Sequence, residues 1–595
     1  MTIATRLAHL RKKMKQYQLD AWIVPTSDPH LSEYLPEHWQ VRAWLTGFTG
    51  SAGVAVVLAE QALLWTDSRY WEQATQQLSG SNIALKKQGL DESYWQYLVN
   101  TLPENTRVGI AADMLSWADK QLLQQHFSRK KIELITDFDL IDECWQHRPK
   151  LPENKIFVHE NKWVGQTTTE KLARIRQAMQ TYSVDFHLIS SLDDIAWITN
   201  LRGSDVSFNP VFLAHLLIDK QQSVLFVDNH KLDENVQAAL KNANITWQDY
   251  HQIGDYLQKC SGSVLIEGAK TAVSVLQKLP ENVKIIDEIL PSSLMKAQKT
   301  EKECAHIRQA MRQDGAALCG FFAEFENKIA QNNVITEYDI GEMLYRYRAA
   351  QPYFLSESFA TIAAFNANAA MPHYQAEKNT CSMLSGSGLL LIDSGAQYLN
   401  GTTDITRVIP IGTPNDAQKR DFTLVLKAHI ALAKAVFPEN TLSPMIDAIC
   451  RAPLWQAQCD FGHGTGHGVG YCLNVHEGPQ RISYQSKTQA QQAMKEGMLT
   501  SNEPSLYRPN QWGIRIENLM LNQKVTEPKE QQFGKFLCFE TVTLCPIDTR
   551  LIIRELLNEE EITWLNHYHQ RIKTELESMV SGDAKAWLHK RTEKI

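Results

Sequence analysis

The sequence predicts an α/β protein in which one domain plan is used twice ahead of a larger third segment. Three observations predict it. Strand-like and helix-like patterns alternate over the first half of the chain. Two short stretches near the N-terminus recur in the same order about 150 residues later. A Gly- and His-rich stretch, residues 461 to 477, then stands in a region with no counterpart upstream.

The first segment opens on a helical pattern, with Leu7, Leu10, Met14 and Tyr17 on one face, followed by Asp20-Ala-Trp-Ile-Val-Pro as a buried strand. Ala43-Trp-Leu-Thr-Gly-Phe-Thr-Gly-Ser, the apolar run Gly53 to Leu58 and Ala62-Leu-Leu-Trp-Thr-Asp continue the alternation. Arg148-Pro-Lys-Leu-Pro-Glu-Asn reads as a linker, since two prolines among polar residues punctuate the chain. In the second segment, Ile175-Arg-Gln-Ala-Met179 with Tyr182-Ser-Val-Asp185 echoes Leu10-Arg-Lys-Lys-Met14 with Tyr17-Gln-Leu-Asp20. Ala196-Trp-Ile-Thr-Asn-Leu-Arg-Gly-Ser204 then matches Ala43 to Ser51 at Ala, Trp, Thr, Gly and Ser. Two matches in one order imply two copies of one domain. A third helix, at Ile307-Arg-Gln-Ala-Met311, follows Pro291 and the polar run Lys296 to Glu303, and nothing after it follows the Ala-Trp-Leu-Thr pattern. The chain closes with a helix behind Asn558 as N-cap, with Ile562, Leu565, Ile572 and Leu576 on one face and Trp564 and His567 as packing residues. The basic stretch Lys585 to Lys594 is expected to be a solvated tail. Domains are therefore expected at 1–150, 151–298 and 299–545, with 546–595 as an extension of the last.

A chain of 595 residues has room for three or four domains. A net charge of −7 with only short basic clusters argues against nucleic-acid binding. No apolar run approaches the roughly 18 residues that span a bilayer, and no signal-peptide core precedes the first helix. The ten cysteines form no C-x-x-C pair, so a reducing, cytoplasmic home is expected rather than a zinc knuckle or a disulfide framework.

In residues 461 to 477, His463, His467 and His476 stand among glycines, which let a backbone pass close to another group. No Lys-Ser/Thr follows, as a phosphate loop would need, so a metal site is favoured. The carboxylates it requires stand nearby. Leu389-Leu-Leu-Ile-Asp393 is an apolar strand ending on an acid, which is costly to bury without a cation or donors. A turn or capping role explains Asp393 alone equally well. The turn signal Asn400-Gly401 could pair this strand with the one after Asp404, placing both acids on one side. Gly497-Met-Leu-Thr-Ser-Asn-Glu503 is another strand ending on an acid, and in Gly513-Ile-Arg515-Ile-Glu517 period two puts Arg515 and Glu517 on one face. An exposed ion pair would account for those two alone. Together, four carboxylates and one imidazole form a ligand inventory for two ions. Oxygen-rich ligation without thiolate favours Mn²⁺, with Zn²⁺ and Co²⁺ as alternatives.

The order Asp393, Asp404, His467, Glu503, Glu517 resembles the five metal ligands of the pita-bread metallopeptidases. The motifs Asp393-Ser-Gly, Gly401-Thr-Thr-Asp404-Ile-Thr-Arg, His463-Gly-Thr-Gly-His467-Gly-Val-Gly, Asn474-Val-His476-Glu-Gly-Pro, Glu503-Pro and Gly513-Ile-Arg-Ile-Glu517-Asn carry the likeness. Within that superfamily the chain resembles the long, three-domain Xaa-Pro aminopeptidase (aminopeptidase P) family. That resemblance implies two creatinase-type domains ahead of a pita-bread catalytic domain. It also implies hydrolysis of the bond before a penultimate proline by water held between two metal ions. Asp393 would chelate one ion, Asp404 and Glu517 would bridge both, and His467 with Glu503 would complete the other. Glu503 would also carry a proton from the water to the leaving nitrogen. The resemblance further assigns His373 and His476 to the substrate carbonyls, His463 to the wall of the proline pocket, Arg515 to orienting the carboxylates and Tyr507 to the active site. It implies peptide substrates and a homodimer. Rival readings are a prolidase limited to Xaa-Pro dipeptides and a non-catalytic pita-bread module that binds peptides or proteins. Where the family has Glu-Pro-Gly, this chain has Ser505, which puts the local loop shape in question.

Overall fold

A computed structural model describes residues 1–527, 529–530 and 532–595. The chain forms two compact units, one of Met1–Glu160 with Gln166–Ser292 and one of Asn161–Gly165 with Ser293–Ile595.

The first unit contains two six-stranded sheets of one topology. In space, the first sheet runs Ala84–Lys87, Ala62–Thr66, Val54–Leu58, Ala21–Pro25, Arg107–Ile110 and Glu133–Ile135. The second runs Ile245–Gln248, Ser223–Val227, Ala214–Asp219, Phe186–Ile189, Ser263–Ile266 and Lys284–Asp287. In each, the strand after the opening helix lies between an antiparallel and a parallel neighbour.

The repeat read from sequence extends to backbone detail. Helix Ile3–Gln16 buries Leu7, Leu10 and Met14, and helix Thr168–Tyr182 buries Leu172, Ile175 and Met179. Each chain path then turns through a left-handed residue, Gln18 at φ 56° and Ser183 at φ 55°. The aspartate two residues on is used identically. Asp20 N–H donates to the Arg107 carbonyl and its Oδ2 accepts from the Arg107 N–H, both at 2.8 Å. Asp185 makes the same pair of bonds with Ser263, both at 3.0 Å. The two Ala-Trp motifs end helices Val41–Thr46 and Leu192–Thr199, each capped by a left-handed residue, Gly47 at φ 76° and Asn200 at φ 53°. Glycine and asparagine are the residues that adopt this cap at least cost. The shared sequence therefore encodes shared turns as well as a shared apolar pattern.

The second unit begins its longest helix, Glu301–Ala330, with a reciprocal capping box between Thr300 and Glu303. Two antiparallel sheets carry the acids and the histidines. One has Gly388–Ser394 at its centre, between Ile362–Phe365 and Ile405–Ile411. The central strand is buried along its whole length, which explains an unbroken apolar run ending at Asp393. The other runs Val436–Pro438, Phe536–Thr541, Asn518–Lys524, Leu499–Asn502, Gly466–Gly468 and Glu477–Ile482. A hairpin, Ser505–Arg508 with Trp512–Arg515, completes the surroundings of the site.

Helix Glu559–Leu576 starts on the expected Asn558 cap, which forms a capping box with Glu561. Trp564 packs at 5.3 Å on Tyr568, whereas His567 is exposed, against the expectation of a packing residue. The basic C-terminal stretch is not a solvated tail. Gly582–Arg591 is a helix whose Leu588 is fully buried and whose Trp587 stacks on Phe322 at 5.3 Å. Arg591 forks onto Glu326 (2.5 and 3.1 Å). Trp587 and Leu588 supply an apolar face that a tally of charge overlooks. Likewise Lys296 and Lys299, in the polar run before the long helix, are buried against Glu477 at 3.4 and 2.6 Å.

Candidate metal centre

Asp393 sits on one strand and Asp404 immediately before the strand that pairs with it, so the two acids are neighbours as the turn signal suggested, although Asp404 itself is outside the ladder. Strand Gly388–Ser394 pairs with Ile405–Ile411 so that Asp393 lies opposite Thr406, two residues beyond Asp404. Both acids are buried, 8% and 4% exposed. On the other sheet, His467 lies in the short strand Gly466–Gly468, and Glu503 follows the strand Leu499–Asn502. Glu517 is buried between the strands ending at Arg515 and beginning at Asn518.

The sheets bring these side chains together. One ligand atom each from Asp404, His467 and Glu517 falls within a 4.8 Å span. His467 Nε2 lies 3.5 Å from Asp404 Oδ2 and 3.6 Å from Glu503 Oε1. Its other nitrogen, Nδ1, is 2.9 Å from the Gly468 carbonyl. A carbonyl only accepts, so Nδ1 carries the hydrogen and Nε2 is aimed at the acids, the arrangement that presents an imidazole to a cation. The glycines on either side are required by close approach. A Cβ on Gly466 would lie 2.0 Å from the Ser501 carbonyl, and one on Gly468 2.1 Å from that of Glu477. Gly466→Ala should therefore push the His467 strand off its neighbour, with a loss of metal affinity on titration that exceeds its loss of melting temperature.

Asp393 is held from behind. Arg515 Nη2 donates to its Oδ2 at 2.5 Å, Arg515 Nε to the Thr406 hydroxyl at 3.0 Å and Arg515 Nη1 to the Tyr507 hydroxyl at 2.6 Å. Thr406 passes its own hydrogen to Glu517 Oε2 at 2.8 Å. One guanidinium thus sets two of the acids. Sequence reading identified Arg515 and missed Thr406, although period two from Asp404 puts it on the same face. It missed Arg407 too, whose guanidinium is buried and donates to the Thr406 and Glu517 carbonyls at 2.9 and 2.8 Å.

Tyr507 hands the chain on to His463 Nε2 at 2.9 Å, and His463 Nδ1 reaches the Gly464 carbonyl at 2.8 Å. Both His463 nitrogens are engaged within the protein, which leaves its ring faces and C–H edges for anything outside. His476 stands edge-on to His467, ring centres 4.4 Å apart. His373 is half-buried and follows Pro372, whose carbonyl lies 3.5 Å from Arg515 Nη2. Ser505 begins a strand, outside the left-handed region, and its hydroxyl donates to the Glu503 carbonyl at 3.1 Å. A β-carbon is therefore accommodated where the family has glycine.

The charges crowd. Burial and neighbouring Asp404 and Asp393 raise the Glu503 carboxyl to about 7, against the pull of His467 and Arg515. Burial and three neighbouring carboxylates drive Glu517 well above the usual carboxylate range. Burial also raises Asp393, opposed by Arg515. Burial would lower His467, but its contact with Asp404 and the charges of Glu503 and Asp404 win and hold it up to about 9. Such a cluster is stable only with protons or cations among the acids. Asp393 Oδ1, moreover, is buried without a hydrogen-bond partner among the described residues. An oxygen-rich donor set, one oriented imidazole nitrogen and an open carboxylate oxygen fit hard or borderline divalent ions.

Comparisons with known proteins give the family of the chain. Models of the Creatinase/Prolidase N-terminal domain match residues 6–144 and 147–303. Metallopeptidase family M24 matches residues 305–524, and the C-terminal region of that peptidase matches 535–595. A probable Xaa-Pro aminopeptidase P of Coprinopsis cinerea is 38% identical, covering 99% of this chain and 98% of the relative. Xaa-Pro aminopeptidase 1 of Dictyostelium discoideum is 36% identical over 96% and 93%. Among solved structures, the X-prolyl aminopeptidase of Caenorhabditis elegans, described as a cytosolic enzyme with a dinuclear active site, superposes with a TM-score of 0.95. It is 30% identical and the match covers the whole of both chains. The architecture is accordingly two creatinase-type N-terminal domains and a pita-bread domain. With relatives this similar from end to end, the chain belongs to metallopeptidase family M24 and is an enzyme of its Xaa-Pro aminopeptidase group.

Proposed function

We propose that this enzyme removes the N-terminal residue from peptides whose second residue is proline, cutting Xaa-|-Pro-Yaa. The observation that carries the reading is the convergence of Asp404, His467 and Glu517 within 4.8 Å, in a chain whose full-length relatives are named Xaa-Pro aminopeptidases. Asp393, Asp404, His467, Glu503 and Glu517 would hold two divalent ions, Mn²⁺ by preference. When bound, the ions supply Lewis acidity and an acidified water for attack on the carbonyl before proline.

The remaining work falls to side chains of this chain. Glu503 accepts the proton lost from the water and delivers it to the departing proline nitrogen. Its backbone is fixed for this, since its N–H donates to the Thr465 carbonyl at 2.8 Å. His373 and His476 donate to the carbonyl oxygens of the substrate as charge develops there. Arg515 keeps Asp393 charged and aligned, and Tyr507 ties Arg515 to His463. The His463 ring, its nitrogens engaged elsewhere, offers an apolar wall to the pyrrolidine ring.

The same reading takes the working form to be a cytoplasmic homodimer. The description of the nematode enzyme as cytosolic supports the location, and no helix among the described residues is long and apolar enough to cross a membrane.

Arg-Pro-Pro and Ala-Pro test the reaction. The purified protein should release free arginine from Arg-Pro-Pro. Cleavage of Ala-Pro with Arg-Pro-Pro left intact would make it a prolidase instead.

A further inference from the structure

Arg451 and Asp447 lie outside the metal centre, yet both are fully buried on the helix Asp447–Gln456. They face each other one turn apart. Arg451 Nε is 3.0 and 2.9 Å from the two Asp447 oxygens. A buried ion pair of this kind gives little stability over an apolar pair of the same size, so its other bonds are informative. Arg451 Nη1 donates to Asp460 Oδ1 at 2.6 Å and to the Phe461 carbonyl at 2.8 Å, and Nη2 donates to the His463 carbonyl at 2.6 Å. The guanidinium also lies 3.8 Å from the ring centre of Phe461. Asp447 takes hydrogen bonds from the Thr465 hydroxyl and, at 2.8 Å, from the Tyr484 N–H. All these contacts but the one from Tyr484 fall on residues 460–465, the loop that delivers His463 and leads into His467.

The loop has little stiffness of its own, because Gly462 and Gly464 alternate with the residues being held. Its far end bears directly on the site. The Thr465 N–H donates to the Ile482 carbonyl, and its carbonyl takes the Glu503 N–H, both at 2.8 Å. From there His463 reaches Tyr507, and Tyr507 reaches Arg515.

We infer that Arg451 and Asp447 are positioning residues, a buried clamp that fixes the 460–465 loop so that His463 and the Glu503 backbone meet the substrate in register. The clamp touches neither substrate nor ligand atoms. It acts through His463 and Thr465. Only a planar guanidinium can span two carboxylates and two carbonyls at once, which lysine cannot reproduce. The inference rests on the proposed peptidase reading for its effect on turnover, and on geometry alone for its effect on the loop.

The test is Arg451→Lys, with Thr465→Val as a milder variant that removes the hydroxyl link and keeps the guanidinium. Both are compared in the full chain by thermal melting, amide hydrogen exchange and kinetics on Arg-Pro-Pro. Exchange in residues 460–468 and at the Glu503 amide should rise by about tenfold or more, while helix Glu301–Ala330 keeps its protection. In kinetics, kcat/KM should fall about 10–100-fold, the range seen when groups that orient a site are removed, with KM carrying most of the change. A double variant with His463→Ala should be no worse than His463→Ala by more than about threefold, since two residues on one path do not add.

Unchanged exchange in the loop would overturn the clamp, as would full multiplication of the two losses. Should Arg451→Lys fail to fold, Thr465→Val decides the matter by the same two measurements. A wild-type protein that leaves Arg-Pro-Pro intact would instead count against the peptidase reading, and the exchange result would still judge the clamp.

Discussion

Replacing His467 with alanine should cut kcat/KM on Arg-Pro-Pro by about 10³-fold or more, and leave a chain that still folds and melts cooperatively. The reasoning starts from what the side chain does. Its Nδ1 is spent on the Gly468 carbonyl, and its Nε2 is turned towards Asp404 and Glu503. Loss of that donor weakens one ion, and a bound ion contributes several kcal/mol of charge stabilisation, at tenfold in rate for each ~1.4 kcal/mol. Stability should hold because the ring is only partly buried and its strand is paired through backbone bonds that the substitution leaves alone. Glu503→Ala should behave alike. Near-normal turnover in either folded variant would refute the ligand assignment.

Arg515→Leu should have the opposite profile, with a large effect on stability as well as on rate. It removes the guanidinium from a buried carboxylate whose second oxygen has no hydrogen-bond partner among the described residues. Breaking one side of a buried ion pair costs about 3–5 kcal/mol, because the remaining charge is left uncompensated. Two bonds that align Thr406 and Tyr507 go with it. Urea unfolding in chelator should show that full loss. Saturating Mn²⁺ should recover part of it, since a cation beside Asp393 supplies the missing charge and binds only the folded state. Equal destabilisation with and without metal would mean that Asp393 is not near an ion.

Much of this was legible because the ligands sit at places where sequence has grammar. Asp393 ends an apolar strand, Glu503 follows the strand Leu499–Asn502, and glycines flank His467 where two carbonyls come too close for any β-carbon. The single alternating strand expected through Arg515 and Glu517 is instead two strands, Trp512–Arg515 and Asn518–Lys524, with Glu517 between them. The repeat was legible for the same reason. Its Asp20 and Asp185, Gly47 and Asn200 mark turns, and turns constrain residue type strongly. The parts that stayed hidden depend on partners far along the chain. Asp447 and Arg451 look like any surface i, i+4 pair until the loop at 460–465 is laid over them. Thr406 looks like a strand threonine until Arg515 and Glu517 arrive from 109 and 111 residues away. The C-terminal helix was misread because four basic residues, Lys585, Lys590, Arg591 and Lys594, outweighed one Trp-Leu pair, and burial is decided by that pair.

The account stands on five side chains holding two ions that turn over a proline peptide. It is tested most directly by counting metal against activity in one preparation. After EDTA and dialysis the protein should be inactive on Arg-Pro-Pro. Added Mn²⁺ should restore arginine release along a curve that saturates at two ions per chain by elemental analysis. An ion-free chain that still cleaves Arg-Pro-Pro would contradict the metal mechanism. A folded chain that binds two ions and cleaves neither Arg-Pro-Pro nor Ala-Pro would contradict the peptidase reading and point to a binding module.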